Sequence, residues 1–305
     1  MAHRAASSPG ISCVARWTPE EVRGDAGCGL RMITERAPAK INLALHVRHR
    51  RPDGYHELET LFAFLRDGDE ISAEPGTASF RIDGPFAAGL DAEADNLVTR
   101  AASIFAQRFA IRADYVIALT KNLPIASGIG GGSADAAATL RALATLHQIP
   151  LDHPTLFACA DALGSDVPAC LYGRSALGTG RGEQLQPLDG LSDIAVLLVN
   201  PGVAVSTGAV FQRWDGIDRG PIGAGPILEL AHRGRNDLEP PARLLAPVID
   251  EVIRVLEATE PMLARMSGSG ATCFALYASE ADRAAAASAI RADRTDWWCL
   301  ESTLV

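Results

Sequence analysis

The chain has 305 residues, 48% of them apolar and 21% charged, with a formal net charge of −9. That length suits two domains or one large one, and the composition is that of an ordinary water-soluble protein. The acidic balance excludes a general nucleic-acid binder and offers no basic surface to a membrane.

Residues 1–31 contain Ser, Gly, Pro and Arg without hydrophobic periodicity or the apolar core of a secretory signal. They are expected to be a disordered extension, with Met32 an alternative start and a transit peptide the other reading. Residues 41–47 alternate as a half-buried strand does. A turn at Pro52-Asp53-Gly54 follows, then an apolar run over residues 58–65. Strand-like pieces recur at residues 69–73, 79–82 and 115–120. Asp95-Asn96 should open a helix whose Leu97, Ala101, Ile104, Phe105 and Phe109 share one face. Alanine and leucine predict a helix over residues 133–147, and a further one over 154–163 ends at Gly164, a residue suited to a left-handed C-terminal cap. Strands are predicted within residues 176–188 and over 194–199, and no apolar run approaches the ~20 residues of a membrane span. Helices over 240–258 and 279–291, the second with a Ser279/Asp282 capping box, accompany strands at 273–277 and 298–303. Mixed elements without regular βαβ alternation indicate an α+β fold, divided into lobes of residues 32–188 and 189–305. Six cysteines without CxxC spacing read as reduced thiols of a cytoplasmic protein.

The stretch from Lys121 to Ala137 is the most informative. Four glycines within five residues, Gly128, Gly130, Gly131 and Gly132, run straight into a helix. Glycine tolerates φ > 0 and close approach, so successive N–H groups can turn toward one point, and the helix N-terminus adds more. A phosphate cradle is one reading and a ligand-free turn is the other. It is not a Walker loop, because Ser133-Ala134 follows the glycines with no lysine. Nor is it a dinucleotide fingerprint, because residues 121–127 separate the glycines from the preceding strand.

Four other segments accompany it. In Pro38-Ala39-Lys40-Ile41-Asn42, strand alternation places Lys40 and Asn42 on one face, either solvated or aimed at a ligand. In Asp53-Gly54-Tyr55-His56, an aromatic ring and an imidazole could stack on a nucleobase and bond its edge, or pack at the surface. In Gly164-Ser165-Asp166-Val167-Pro168, Asp166 is either a base projecting into a cleft or a helix cap. Met266-Ser267-Gly268-Ser269-Gly270 closes over a ligand or makes a tight turn.

In this order, the segments at Pro38–Leu43, Leu123–Ala137 and Ser267–Gly270 resemble the GHMP kinase superfamily of small-molecule kinases. Arg51–Leu58, Gly164–Pro168 and Arg235–Pro240 are similar to its branch acting on a cytidine-diphosphate-linked methylerythritol. The resemblance implies a ribosomal-protein-S5-like N-terminal lobe, a C-terminal α+β lobe and an active site between them. ATP would lie on Pro124, Ser127, Gly128, Gly130, Gly131, Gly132 and Ser133, with Asn96 and Lys121 also touching the nucleotide. Tyr55 and Phe211 would sandwich cytosine, His56 would bond its edge and Asn42 would position the substrate. Asp166 would accept the proton of the attacking hydroxyl, and Lys40 would stabilise charge on the transferring group. Mg2+ should accompany ATP, with its ligands unassigned and Ser133 or water alone the candidates. The implied partner is that small molecule alone, without nucleic acid or membrane, and the chain is expected as a monomer or weak homodimer. Asp135, one turn into the helix, is expected to face solvent or Mg2+.

Overall fold

A long hairpin organises the first half of the structure, a computed structural model that describes residues 31–90 and 96–305. The expected extension over residues 1–31, apart from Arg31, lies outside the described residues, as do Asp95, Cys13 and Cys28. Strand β1 (Ile33–Arg50) pairs antiparallel with β2 (His56–Pro75), with register shifts between Pro38 and Lys40, Asn42 and Ala44, and Val47 and His49. The two pieces predicted at 58–65 and 69–73 are thus one strand. The polar Arg66-Asp67-Gly68 that separates them in the sequence is carried through, and a Cβ on Gly68 would stand 2.1 Å from the Ala37 carbonyl oxygen.

Beside β2 lie β4 (Tyr115–Thr120) at one end and β5 (Ala176–Gly180) at the other. Strands β3 (Ser79–Asp83) and β6 (Gln184–Pro187) complete the first sheet. Helices α1 (Leu97–Phe109), α2 (Gly131–Leu146), α3 (Pro154–Leu163) and α4 (Val167–Tyr172) bury Phe105, Leu140, Leu143 and Leu156 against Phe62, Phe64 and Ile71 of that sheet. Asn96 caps α1, its Oδ1 accepting the Val98 N–H at 2.9 Å. Gly164 follows α3 as expected, but at φ 162 its backbone is extended and not left-handed.

The second sheet has the order β10-β7-β9-β8, all antiparallel: β7 (Ala195–Asn200), β8 (Leu263–Met266), β9 (Cys273–Tyr277) and β10 (Trp298–Thr303). Its strands are apolar on both faces for a visible reason. Val196, Leu198, Phe274 and Leu276 pack on Ile41, Leu43, Leu61 and Leu65 of the first sheet. Leu197, Val199, Cys273 and Ala275 instead face α8 (Val248–Glu257) and α9 (Glu280–Asp293). The short helices α5 (Thr207–Gln212), α6 (Ile227–Arg233) and α7 (Glu239–Leu245) lie between β7 and α8 in the chain. The single helix predicted over 240–258 is α7 plus α8, interrupted at Ala246-Pro247 because proline clashes with a continuing turn. The Ser279 cap stands as predicted, its Oγ accepting the Asp282 N–H at 3.1 Å. Cys159, Cys170, Cys273 and Cys299 are free, and burial raises every one of these thiols, Cys170 to about 12.

Candidate active site

Two glycine loops meet backbone to backbone. Gly128 has φ +78, and a Cβ there would lie 2.6 Å from the Ser267 carbonyl oxygen and 2.8 Å from that of Gly270. The Thr272 N–H donates to the Ser127 carbonyl at 3.1 Å, and Ser267 Oγ donates to the Gly128 carbonyl at 3.0 Å while accepting the Asn42 N–H at 3.2 Å. Asn236 holds the second loop from behind, its Nδ2 donating to the Met266 and Gly268 carbonyls, each at 2.8 Å. The Arg235–Pro240 motif is therefore scaffold. It also bonds the edge of β1, through Leu45 N–H to the Arg235 carbonyl and Asp237 N–H to the Leu45 carbonyl, both at 2.8 Å.

Beyond the loops opens a cleft of about 500 Å3. Of the residues expected at a site, it gathers Lys40, Asn42, Asn96, Lys121, Pro124, Ser127, Gly128, Gly130, Gly131, Gly132, Ser133, Asp166 and Phe211, but neither Tyr55 nor His56. No side chain caps α2 at Gly130, so the N–H groups of its first turn are left for a ligand. A Cβ on Gly132 would meet only Leu97, at 3.4 Å, which leaves that face of the turn open.

Lys40 and Asn42 do share a face, and both are buried. Lys40 Nζ donates to Asn42 Oδ1 at 2.8 Å and pairs with Asp166 Oδ2 at 2.9 Å. Asn42 Nδ2 donates in turn to Thr60 Oγ1 at 2.8 Å, and Thr60 donates to the Ala44 carbonyl at 2.9 Å, so the amide orientation is set. Asp166 occupies the cap position of α4 but makes no side-chain cap. Its carboxylate is given to Lys40 and the cleft, which resolves the two sequence readings. Thr60 was missed: a threonine within a strand carries no local signal of its partner 18 residues away.

Lys121 lines the cleft and is also tied to two carboxylates. Its ammonium is buried between Asp69 and Asp135, at 2.8 Å from the Asp135 Oδ2. Burial works against its charge, but the two carboxylates outweigh that and raise its pKa. Asp135 faces this lysine and not solvent, which corrects the sequence reading. The buried Asp69 also accepts the backbone N–H groups of Asn122 and Leu123, at 2.6 and 2.8 Å. Asp135 has fewer donors, its Oδ1 lacks a partner, and burial pushes it up to about 7.

The aromatic residues are also arranged differently. Phe211 stacks on His56, with centroids 4.8 Å apart and planes at 25°, and Trp214 meets the same imidazole edge-on. Tyr55 is exposed and lies under the Arg181 guanidinium, 5.0 Å from ring centroid to Cζ. Burial, followed by nearby Arg50, lowers the His56 pKa and favours its neutral form.

A buried lysine paired with a half-buried carboxylate beside an uncapped, glycine-lined helix N-terminus suits small-molecule phosphoryl transfer, and comparison with known proteins places it. The GHMP kinases N terminal domain matches residues 96–174 and the GHMP kinases C terminal domain residues 222–294. The 4-diphosphocytidyl-2-C-methyl-D-erythritol kinase of Rhizorhabdus wittichii is 55% identical over 278 residues, covering 89% of this chain and 94% of its own. A crystal structure of 4-(cytidine 5'-diphospho)-2C-methyl-D-erythritol kinase superposes with TM-score 0.72 at 36% identity, covering 89% of this chain and 99% of that one. The homoserine kinase of Cytophaga hutchinsonii, at TM-score 0.70 and 21% identity over 89% of this chain and 94% of its own, shares the fold. The chain belongs to the 4-diphosphocytidyl-2-C-methyl-D-erythritol kinase family of the GHMP kinases.

Proposed function

We propose that the protein transfers the γ-phosphoryl group of ATP to the 2-hydroxyl of 4-diphosphocytidyl-2-C-methyl-D-erythritol, giving the 2-phosphate and ADP in the non-mevalonate route to isoprenoid precursors. The observation that carries this reading is the 2.9 Å Lys40–Asp166 pair within one cleft with the uncapped N-terminus of α2. Phosphoryl transfer needs alignment and charge stabilisation more than covalent participation. The α2 N–H groups would hold the phosphates, and Asp166 would take the hydroxyl proton. Lys40 would face the equatorial oxygens while keeping its hold on Asp166 and Asn42. Asn96 retains its Nδ2 for the nucleotide. Lys121, tied to two aspartates, would act by shaping the loop. Mg2+ would neutralise phosphate charge, and it would be held chiefly by the nucleotide and water.

For cytosine to enter between Tyr55 and Phe211, His56 must leave the Phe211 face. Its neutral imidazole would then turn to the base edge as donor or acceptor. We further take the lobes to divide at residues 188 and 189, between β6 and β7, and the protein to act in the cytoplasm on this small molecule without nucleic acid or membrane. No helix of the described residues is long and apolar enough to cross a membrane.

The test is single-turnover transfer of labelled γ-phosphate to 4-diphosphocytidyl-2-C-methyl-D-erythritol, mevalonate and homoserine, by the wild type and Asp166→Asn. Label on the cytidylyl substrate alone, falling ~10²-fold or more in the variant, is expected. Label on mevalonate or homoserine instead would refute the substrate assignment.

A further inference from the structure

Three cationic side chains line the cleft: Lys40, Lys121 and Arg181. Lys40 is committed to Asp166 and Asn42, and Lys121 to Asp69 and Asp135. Arg181 sits at the tip of the β5–β6 hairpin between Gly180 (φ +73) and Gly182 (φ +110), a left-handed frame that glycine adopts readily. The tip is pinned from both sides. The Gly180 N–H donates to Glu57 Oε1 at 3.1 Å, and the Arg181 N–H donates to Glu183 Oε2 at 2.6 Å. A Cβ on Gly182 would lie 3.9 Å from the carbonyl oxygen of Ser165, the residue before Asp166. The hairpin tip therefore abuts the loop carrying the proposed base, while its guanidinium covers the proposed cytosine ring partner, Tyr55.

The substrate of the proposed reaction has the same order along its length. Its base is at one end, its acceptor hydroxyl at the other, and two phosphates lie between. With the base at Tyr55 and the hydroxyl at Asp166, the diphosphate spans the ground that Arg181 occupies. We propose that Arg181 clamps the diphosphate of the acceptor substrate and so selects cytidine diphosphate derivatives over uncharged cytidines. The assignment rests on the cytidine reading above. Arg181 Nη2 bonds Asp161 Oδ1 at 2.6 Å and Nε lies 3.8 Å from Glu183, contacts that leave Nη1 for the ligand. A guanidinium suits the task because it stays charged, can hold a carboxylate and a phosphate with different nitrogens, and also stacks on an aromatic face.

The experiment measures dissociation constants of CDP and of cytidine for the wild type, Arg181→Gln and Arg181→Lys, with thermal melts to establish folding. Wild type should bind CDP more tightly than cytidine. In Arg181→Gln that advantage should shrink roughly 10- to 100-fold with cytidine affinity held, the scale of a lost charge-assisted hydrogen bond. Arg181→Lys should fall between the two. If Arg181 only supports Tyr55, both ligands weaken together, the ratio survives, and the clamp is refuted while the cytidine reading stands. Wild type that binds neither ligand would overturn the cytidine reading and the clamp with it.

Discussion

Gly130→Ala separates the chemistry from the fold. Gly130 has φ +68, and a Cβ there would lie 2.6, 2.8 and 3.2 Å from the Lys40 Cγ, Cε and Cδ. Carbon atoms settle at about 3.5–4.0 Å, so the Lys40 stem must move by roughly 1 Å. Lys40 is the partner that yields, because the colliding atoms belong to its side chain and not to a peptide. Its room is limited by Asn42, Asp166 and the Phe62 ring, whose centroid is 5.6 Å from Nζ. The left-handed conformation disfavours alanine by about 1–2 kcal/mol, and lower entropy of the unfolded chain offsets about 0.4–1 kcal/mol of that. The net loss of stability should be about 1 kcal/mol. A misplacement of about 1 Å in a transferring site can slow the reaction ~10²-fold. Single-turnover phosphoryl transfer and urea unfolding should therefore show a folded protein that is nearly inactive. In a Lys40→Met background the same substitution should slow transfer little further, because the displaced ammonium is already gone. A Gly130→Ala enzyme within about threefold of the wild-type rate would refute the reasoning.

Three further outcomes follow from the buried polar groups. Asp135 has its pKa raised from 3.8 to about 7, so its contribution to stability is present below 3.8 and is lost as pH rises through 7. Thermal melts should show this slope in the wild type and its loss in Asp135→Asn, whereas equal slopes would contradict the assignment. The shift at His46 runs the other way: burial, then Arg235, lowers it from 6.5. Its Nδ1–H donates to the Gly220 carbonyl at 3.0 Å, and Nε2 accepts the Arg235 N–H at 3.2 Å. Its contribution is present above 6.5 and is lost as pH falls through the depressed value, so His46→Gln should remove an acid-side step from the unfolding profile. Asn236→Ala strips donors from two buried carbonyls and should cost roughly 2–3 kcal/mol in urea unfolding; a loss below about 0.5 kcal/mol would show the second loop to be held by other means.

Much of this site can be read in sequence because its parts are local. Glycines before an alanine-rich helix announce a cradle, and strand alternation alone puts Lys40 beside Asn42. Tyr115–Thr120 and Cys273–Tyr277 are strands at the residues predicted, since their apolar runs end at clear polar breaks. What escapes reading depends on distant partners. His56 meets Phe211 across 155 positions and Lys121 finds Asp69 across 52, and neither pairing leaves a trace in local pattern. Arg181 escaped for the opposite reason, as a charged residue between two glycines reads as an ordinary hairpin tip. The helices α4, α5 and α6 have 6, 6 and 7 residues, too short to show a 3.6-residue period.

The contact of Gly128 with Ser267 and Gly270 also decides where the molecule can move. Peptide groups packed on peptide groups have no rotamers through which to yield, so this seam cannot act as a hinge. The rings beside the cleft are held differently, by side chain on side chain, His56 on Phe211 and Tyr55 beneath Arg181. The glycine loop that opens α2 is thus a fixed anvil, set by backbone alone.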